Sequence, residues 1–215
     1  MSKDTSKHSQ FLATAARSVL QPMGMVRKGR SRVWLDDHSW WACVVEFQPS
    51  SWSGGTYLNV GCMWLWQAKG HISFDEGHRV EQFSKFHNEQ QFESLAASLA
   101  QQAATEVLRY RKLFPTVHEV CAYYSRHHPD GFWPTFNAAM SCALAGKPDK
   151  AHRLFGRVID FQSDDRDWVI SAQAEARRFC AIAENTERFR QVVTETIHRA
   201  RALQKLPPLA SVSFD

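Results

Sequence analysis

Long apolar runs are missing from this chain. Nothing in its 215 residues approaches the roughly 20 consecutive apolar positions that a membrane-spanning helix needs, so no membrane association is expected. A secretory leader is not legible either: MSKDTSKHSQ is polar and runs into an amphipathic segment without an apolar centre. Phosphate-binding loops of the forms G-x-x-x-x-G-K and G-x-G-x-x-G are absent, and so is the G-x-S-x-G turn of many hydrolases. No cofactor is implied, and an enzyme is the weaker expectation. Charge of one sign is scarce. Lys and Arg number 26 against 22 Asp and Glu, a net charge of +4. Nucleic-acid binders usually gather far more positive charge on one element.

Cysteine is sparse. The five are Cys43, Cys62, Cys121, Cys142 and Cys180. None belongs to a C-x-x-C unit, their number is odd, and each sits in an apolar pattern where a thiol behaves as a small hydrophobe. Reduced thiols and a cytoplasmic location are expected, with neither a disulfide nor a metal holding the fold.

Aromatic residues, in contrast, are plentiful: eight Trp, 14 Phe and four Tyr. With 44% apolar and 22% charged residues, the composition is that of a globular protein, long enough for one generous domain or two small ones. The pattern divides it into residues 1–115, 116–206 and an extended tail at 207–215. A helix is predicted over 5–21, carried by Leu12, Ala16, Val19 and Leu20 and stopped by Pro22 and Gly24. Strands follow at 25–28, 32–35, 40–48 and 57–66, with Leu58, Val60, Cys62, Trp64 and Trp66 on one face by period two. Short edge strands are expected at 72–74 and 79–83. The clearest helix is 89–113, with Phe92, Leu95, Ala96, Leu99, Ala103, Val107 and Tyr110 in one stripe. After it the pattern is helical throughout: a capped start at Thr116, a break at His127–Gly131, then helices over 133–145, 150–160, 168–183 and 186–206. The fold class read from this order is α+β, a helix-flanked antiparallel sheet followed by an all-α helical-hairpin region.

Two resemblances add to that reading. Pro22-Met23-Gly24-Met25, the basic stretch Arg27–Arg32, Val45-Glu46-Phe47-Gln48-Pro49-Ser50 and Tyr57-Leu58-Asn59-Val60-Gly61 resemble, in order and spacing, a bacterial family of uncharacterised domains. The likeness covers about 10–115 and implies a fold without a catalytic residue. Residues 135–158 resemble a single tetratricopeptide-type hairpin, with Ala139, Ala151 and Phe155 at its small, small and aromatic positions. Thr135 departs from the Trp that such a repeat prefers.

Several groupings carry chemistry. Arg27, Lys28, Arg30 and Arg32, beside Trp34 and Trp40, would suit a nucleic-acid backbone with stacked bases, though basic residues also protect a sheet edge from pairing. Trp40 and Trp52 are the indoles expected to be exposed. His118 and Cys121 have a permissible metal-ligand spacing but no further partners, so no metal is expected. His71, Asp75, Glu76 and His78 form a polar loop cluster that could hold an acid–base pair. The leading expectation is a non-catalytic protein-interaction module, with another protein as partner. Its contact surface is placed where sheet and helices meet, around Trp52, Tyr124, His127, His128 and Trp133. The alternative is a nucleic-acid-binding protein using Arg27–Arg32 and Trp40, and an enzyme with an unrecognised site comes third.

Overall fold

The computed structural model describes residues 3–50, 52–162 and 167–215. It shows the expected α+β class: a five-stranded antiparallel sheet followed by a series of helices. The chain divides into two units. The first takes 1–63 and 73–112, and the second takes 64–72 and 113–215.

In the first unit, helix α1 (Lys3–Leu20) ends in a single 3-10 turn, Gln21–Met23, where Gly24 adopts φ 89°. Strands β1 (Val26–Arg27), β2 (Val33–Asp37), β3 (Trp41–Pro49), β4 (Gly55–Trp64) and β5 (Glu76–Lys85) lie in chain order across the sheet. Helix α2 (Glu89–Leu113) follows. Register places Trp34 opposite Val45 and Asp36 opposite Cys43, so these four side chains share a sheet face. The helices cover that face. His8 of α1 packs edge-on to Phe92 of α2, and Arg111 of α2 grips Asp36. The apolar stripe of α2 is buried from Phe92 to Tyr110. Trp41, Val45, Leu58, Val60 and Trp64 are all at most 2% exposed, as the period-two pattern implies.

The edge at β5 corrects the sequence reading. Residues 72–74 form no strand, and the short piece expected at 79–83 is the middle of a ten-residue strand. Its sequence, EGHRVEQFSK, is half-exposed and lacks apolar alternation. Pairing with β4 therefore supplies what the side chains do not: Asn59 lies opposite Arg79 and Gly61 opposite Gly77. A Cβ on Gly61 would come within 2.6 Å of the Glu76 carbonyl, so the close approach of these two strands requires glycine there.

Among its described residues the second unit contains the segment 64–72 and five helices, α3 (Val117–His127), α4 (Phe132–Leu144), α5 (Pro148–Ile159), α6 (Asp167–Cys180) and α7 (Thr186–Gln204). Thr116 caps α3 by accepting from the Glu119 amide, and Asn185 caps α7 by accepting from the Arg188 amide. Gly146 at φ 67° and Pro148 make the tight link from α4 to α5. Residues 64–72 are tied in by side chains. Asn137 of α4 accepts from Trp66 Nε1 and Gln67 Nε2, and Gln204 of α7 donates to the carbonyls of Lys69 and His71. The tail after α7 has no helix or strand, and returns to α3 where the Val117 amide donates to the Phe214 carbonyl.

Asp36 gives the first unit an acid-sensitive joint. Burial alone would raise its carboxyl, but hydrogen bonds from His38 and Arg111 outweigh burial and hold it below the usual carboxylate value. The stabilisation is complete above the unfolded value of about 3.9 and is lost as pH falls through the lower folded value. Arg111→Met should cost about 3–5 kcal/mol at neutral pH, because it leaves a buried carboxylate without its cation. Asp36→Asn should flatten the acid limb of stability measured by urea titration between about pH 5 and 2. An acid limb unchanged by Asp36→Asn would contradict the assignment.

Candidate functional site

The break between α3 and α4 shapes a polar cavity of the helical unit. His128 closes α3 in the left-handed region at φ 46°, and Gly131 opens α4 at φ 81°. A cavity of about 390 Å³ lies beside this turn. Its walls come from four sources: Tyr124 and Ser125 of α3, His128, Pro129 and Asp130 of the turn, Ala138 and Cys142 of α4, and Lys150, Leu154 and Arg157 of α5. The α4–α5 hairpin that resembles a tetratricopeptide unit supplies half of this lining. Its Ala139, Ala151 and Phe155 are fully buried, while Thr135 is a buried threonine where such a repeat would place an indole.

Several polar wall residues are held by neighbours. Lys150 Nζ donates to Ser125 Oγ, and Ser125 Oγ donates to the Cys121 carbonyl. Arg157 donates to the Pro129 carbonyl at 3.2 Å, which fixes the turn onto α5. Tyr124 Oη accepts from Trp64 Nε1 at 3.1 Å. Behind the wall, the Cys121 and Cys142 sulfurs approach to 2.7 Å.

An aromatic cluster continues from the turn. Phe132 meets Phe161 and Trp168 edge-on, and Trp133 stacks on Trp168 at 5.8 Å and 20°. Lys69 lies over the Trp133 ring. Phe132 is buried, but Trp133, Trp168 and Phe161 are 36%, 42% and 39% exposed. Three large rings at the surface, stiffened by one another, are what an interface anchor needs: much apolar area with little freedom to lose.

The residues singled out in the sequence distribute as follows. Tyr124 and His128 line the cavity, and Trp133 belongs to the aromatic cluster. His127 turns away from its neighbour, stacks on Tyr123 and hydrogen-bonds the Tyr123 carbonyl. Trp52 is 94% exposed in the β3–β4 loop of the first unit. Trp40, expected at the surface, is 3% exposed. It precedes β3 on the side of Ala42 and Val44, which are themselves fully buried, so both faces of the strand are covered at this end. Of the basic stretch, Arg27 is turned onto the Arg30 and Ser31 carbonyls, where it braces the turn between β1 and β2. Arg32 reaches His8 and Ser9 of α1, and burial lowers its guanidinium below the usual value. Lys28 is half-buried and Arg30 exposed.

His118 and Cys121 do not face a common point: His118 lies 3.4 Å from Asp215, whereas Cys121 meets Cys142. The polar cluster at 71–78 is not one loop. Glu76 and His78 belong to β5, and His78 faces Glu106 of α2. Among the described residues no group of three or more His, Cys, Asp or Glu side chains could hold a metal ion, and no helix is long and apolar enough to cross a membrane. Sequence reasoning missed Ser125, Lys150, Arg157 and Phe161. Lys150 and Arg157 lie a helical seven apart on α5, a spacing that marks one face but not what that face meets.

The two tryptophans first grouped as exposed should now separate. Trp40→Ala should lose about 3–5 kcal/mol in a urea titration, since it removes a buried indole. Trp52→Ala should stay within about 0.5 kcal/mol of the parent. Equal losses would contradict the two burials. Compared with protein-family models, curated proteins and solved structures, the chain matches none.

Proposed function

We propose that this chain is a non-catalytic protein-interaction module, of an accessory, immunity or defence-related kind in the bacterial cytoplasm, and that its helical unit carries the contact surface. One observation carries the reading: Trp133, Trp168 and Phe161 form a packed aromatic cluster that is still more than one-third exposed. Such rings are held outside a core at the expense of apolar burial, and the arrangement suits an anchor that a partner covers. The adjoining turn and cavity offer the polar border of such a surface, with Asp130, His128, Lys150 and Arg157 near the apolar centre. The nucleic-acid alternative would rest on Arg30 at the β1–β2 turn, because Arg27 and Arg32 already have protein acceptors.

The experiment compares Trp133→Ala, Trp168→Ala and Trp52→Ala. Each variant is first checked for folding by circular dichroism. Each is then titrated against the partner purified after capture by the parent protein. Folded Trp133→Ala and Trp168→Ala should weaken binding at least about tenfold, the size of a modest interface anchor, with Trp52→Ala unchanged. Full-strength binding by both helical variants would overturn the surface. Single-stranded oligonucleotide binding that falls steeply with salt and is lost in Arg30→Ala would replace the reading with the nucleic-acid one.

A further inference from the structure

We propose that Cys121 and Cys142 form a reversible disulfide, driven by hydroperoxide, that clasps α3 to α4 beside the cavity. The inference goes beyond the interaction reading and does not depend on it. The two sulfurs are 2.7 Å apart on neighbouring helices, so closing to a bond of about 2.0 Å asks for little movement. Cys142 has no exposure of its own, but it belongs to the cavity wall, so the cavity is the side from which a small oxidant approaches the pair. The surroundings favour a thiolate. A hydrogen bond from Cys142 lowers the Cys121 thiol below its usual value against the opposing effect of burial, and Lys147, Lys150 and Ser125 add to the lowering. Cys142, which gives that hydrogen bond, is raised by it and by burial, and burial raises Cys43, Cys62 and Cys180. Only the thiolate is a competent nucleophile toward peroxide, so the pair is where oxidation should begin.

The chemistry closes within the pair. The Cys121 thiolate, held by the Cys142 S–H across the short contact, attacks one oxygen of hydrogen peroxide; an S–O bond forms and the O–O bond breaks. The departing hydroxide takes the Cys142 proton and leaves as water. Cys142 then attacks the sulfenic sulfur; the S–S bond forms and the S–O bond breaks. The hydroxide expelled here takes a proton from solvent, replacing the one Cys121 released when it first ionised. The pair loses two electrons, and one peroxide becomes two waters. A dithiol reverses the step by exchange. The bond closes a chain loop that contains the His128–Gly131 turn, so oxidation fixes the mouth of the cavity.

The test uses the full chain, reduced and then treated with a few equivalents of hydrogen peroxide. The protein is alkylated in denaturant, digested and mapped by mass spectrometry. The expected product is a peptide pair joined through Cys121 and Cys142, lighter by two hydrogens than the free thiols and released by dithiothreitol. The melting temperature should rise by several degrees on oxidation and return on reduction. In Cys142→Ser the sulfenic acid should remain on Cys121 and be trapped by dimedone. The parent peptide map decides the matter even where that variant does not fold. Recovery of both cysteines fully alkylated, or linkage of either to Cys43, Cys62 or Cys180 instead, would overturn the proposal.

Discussion

Two buried indoles impose the requirement around which the helical unit is arranged. Trp64 and Trp66 stack at 4.9 Å and are fully buried, so each N–H needs an acceptor that water cannot supply. Tyr124 Oη serves Trp64 and Asn137 Oδ1 serves Trp66. This explains an asparagine with no exposure in the middle of α4, a placement otherwise unfavourable for a helix interior. It also explains why the chain from Trp64 to Ile72 belongs to the second unit although β4 runs directly into it. Tyr124 faces both ways: its hydroxyl holds a core indole and its ring walls the cavity.

The aromatic content thus serves two ends. Trp64, Trp66, Phe114, Phe136, Phe155, Phe179 and Phe189 fill the helical core. At the surface Trp133 stacks on Trp168, while Phe161 meets the buried Phe132 edge-on. The cavity beside them combines a basic edge, Lys150 and Arg157, with a sulfur pair behind its wall. Position matters more than residue type here. Cys43 and Cys62 lie on the sheet in apolar surroundings that keep them protonated, whereas Cys121 and Cys142 meet near two lysines.

Much of the fold was legible because local physics dictates it. The α2 stripe repeats at helical spacing for 25 residues, and α2 runs Glu89–Leu113 as the pattern implies. Thr116 and the Gly146–Pro148 link are short-range signals that need no tertiary knowledge. Strand β5 was harder because its identity comes from β4 across the ladder and not from its own polar sequence. Trp40 was harder because β3 is covered on both faces at its start, where Ala42 and Val44 are as buried as Cys43 and Val45. The site was only half legible. The turn at 127–131 declares itself through Pro129 and Gly131, but Ser125, Cys142 and Lys150 converge on it from three helices. Cys121 drew notice for its spacing from His118, whereas its actual neighbour is 21 positions along the chain, a pairing set by the packing of α3 on α4.

The central claim is that the indoles divide into a satisfied buried set and a set held at the surface. Hydrogen exchange at the indole N–H groups, followed by NMR on ¹⁵N-labelled protein, reads that division directly. Trp64 and Trp66 should exchange slowly, protected by burial and by their acceptors, while Trp52 exchanges as fast as a free indole. Exchange at Trp64 or Trp66 as rapid as at Trp52 would contradict the account.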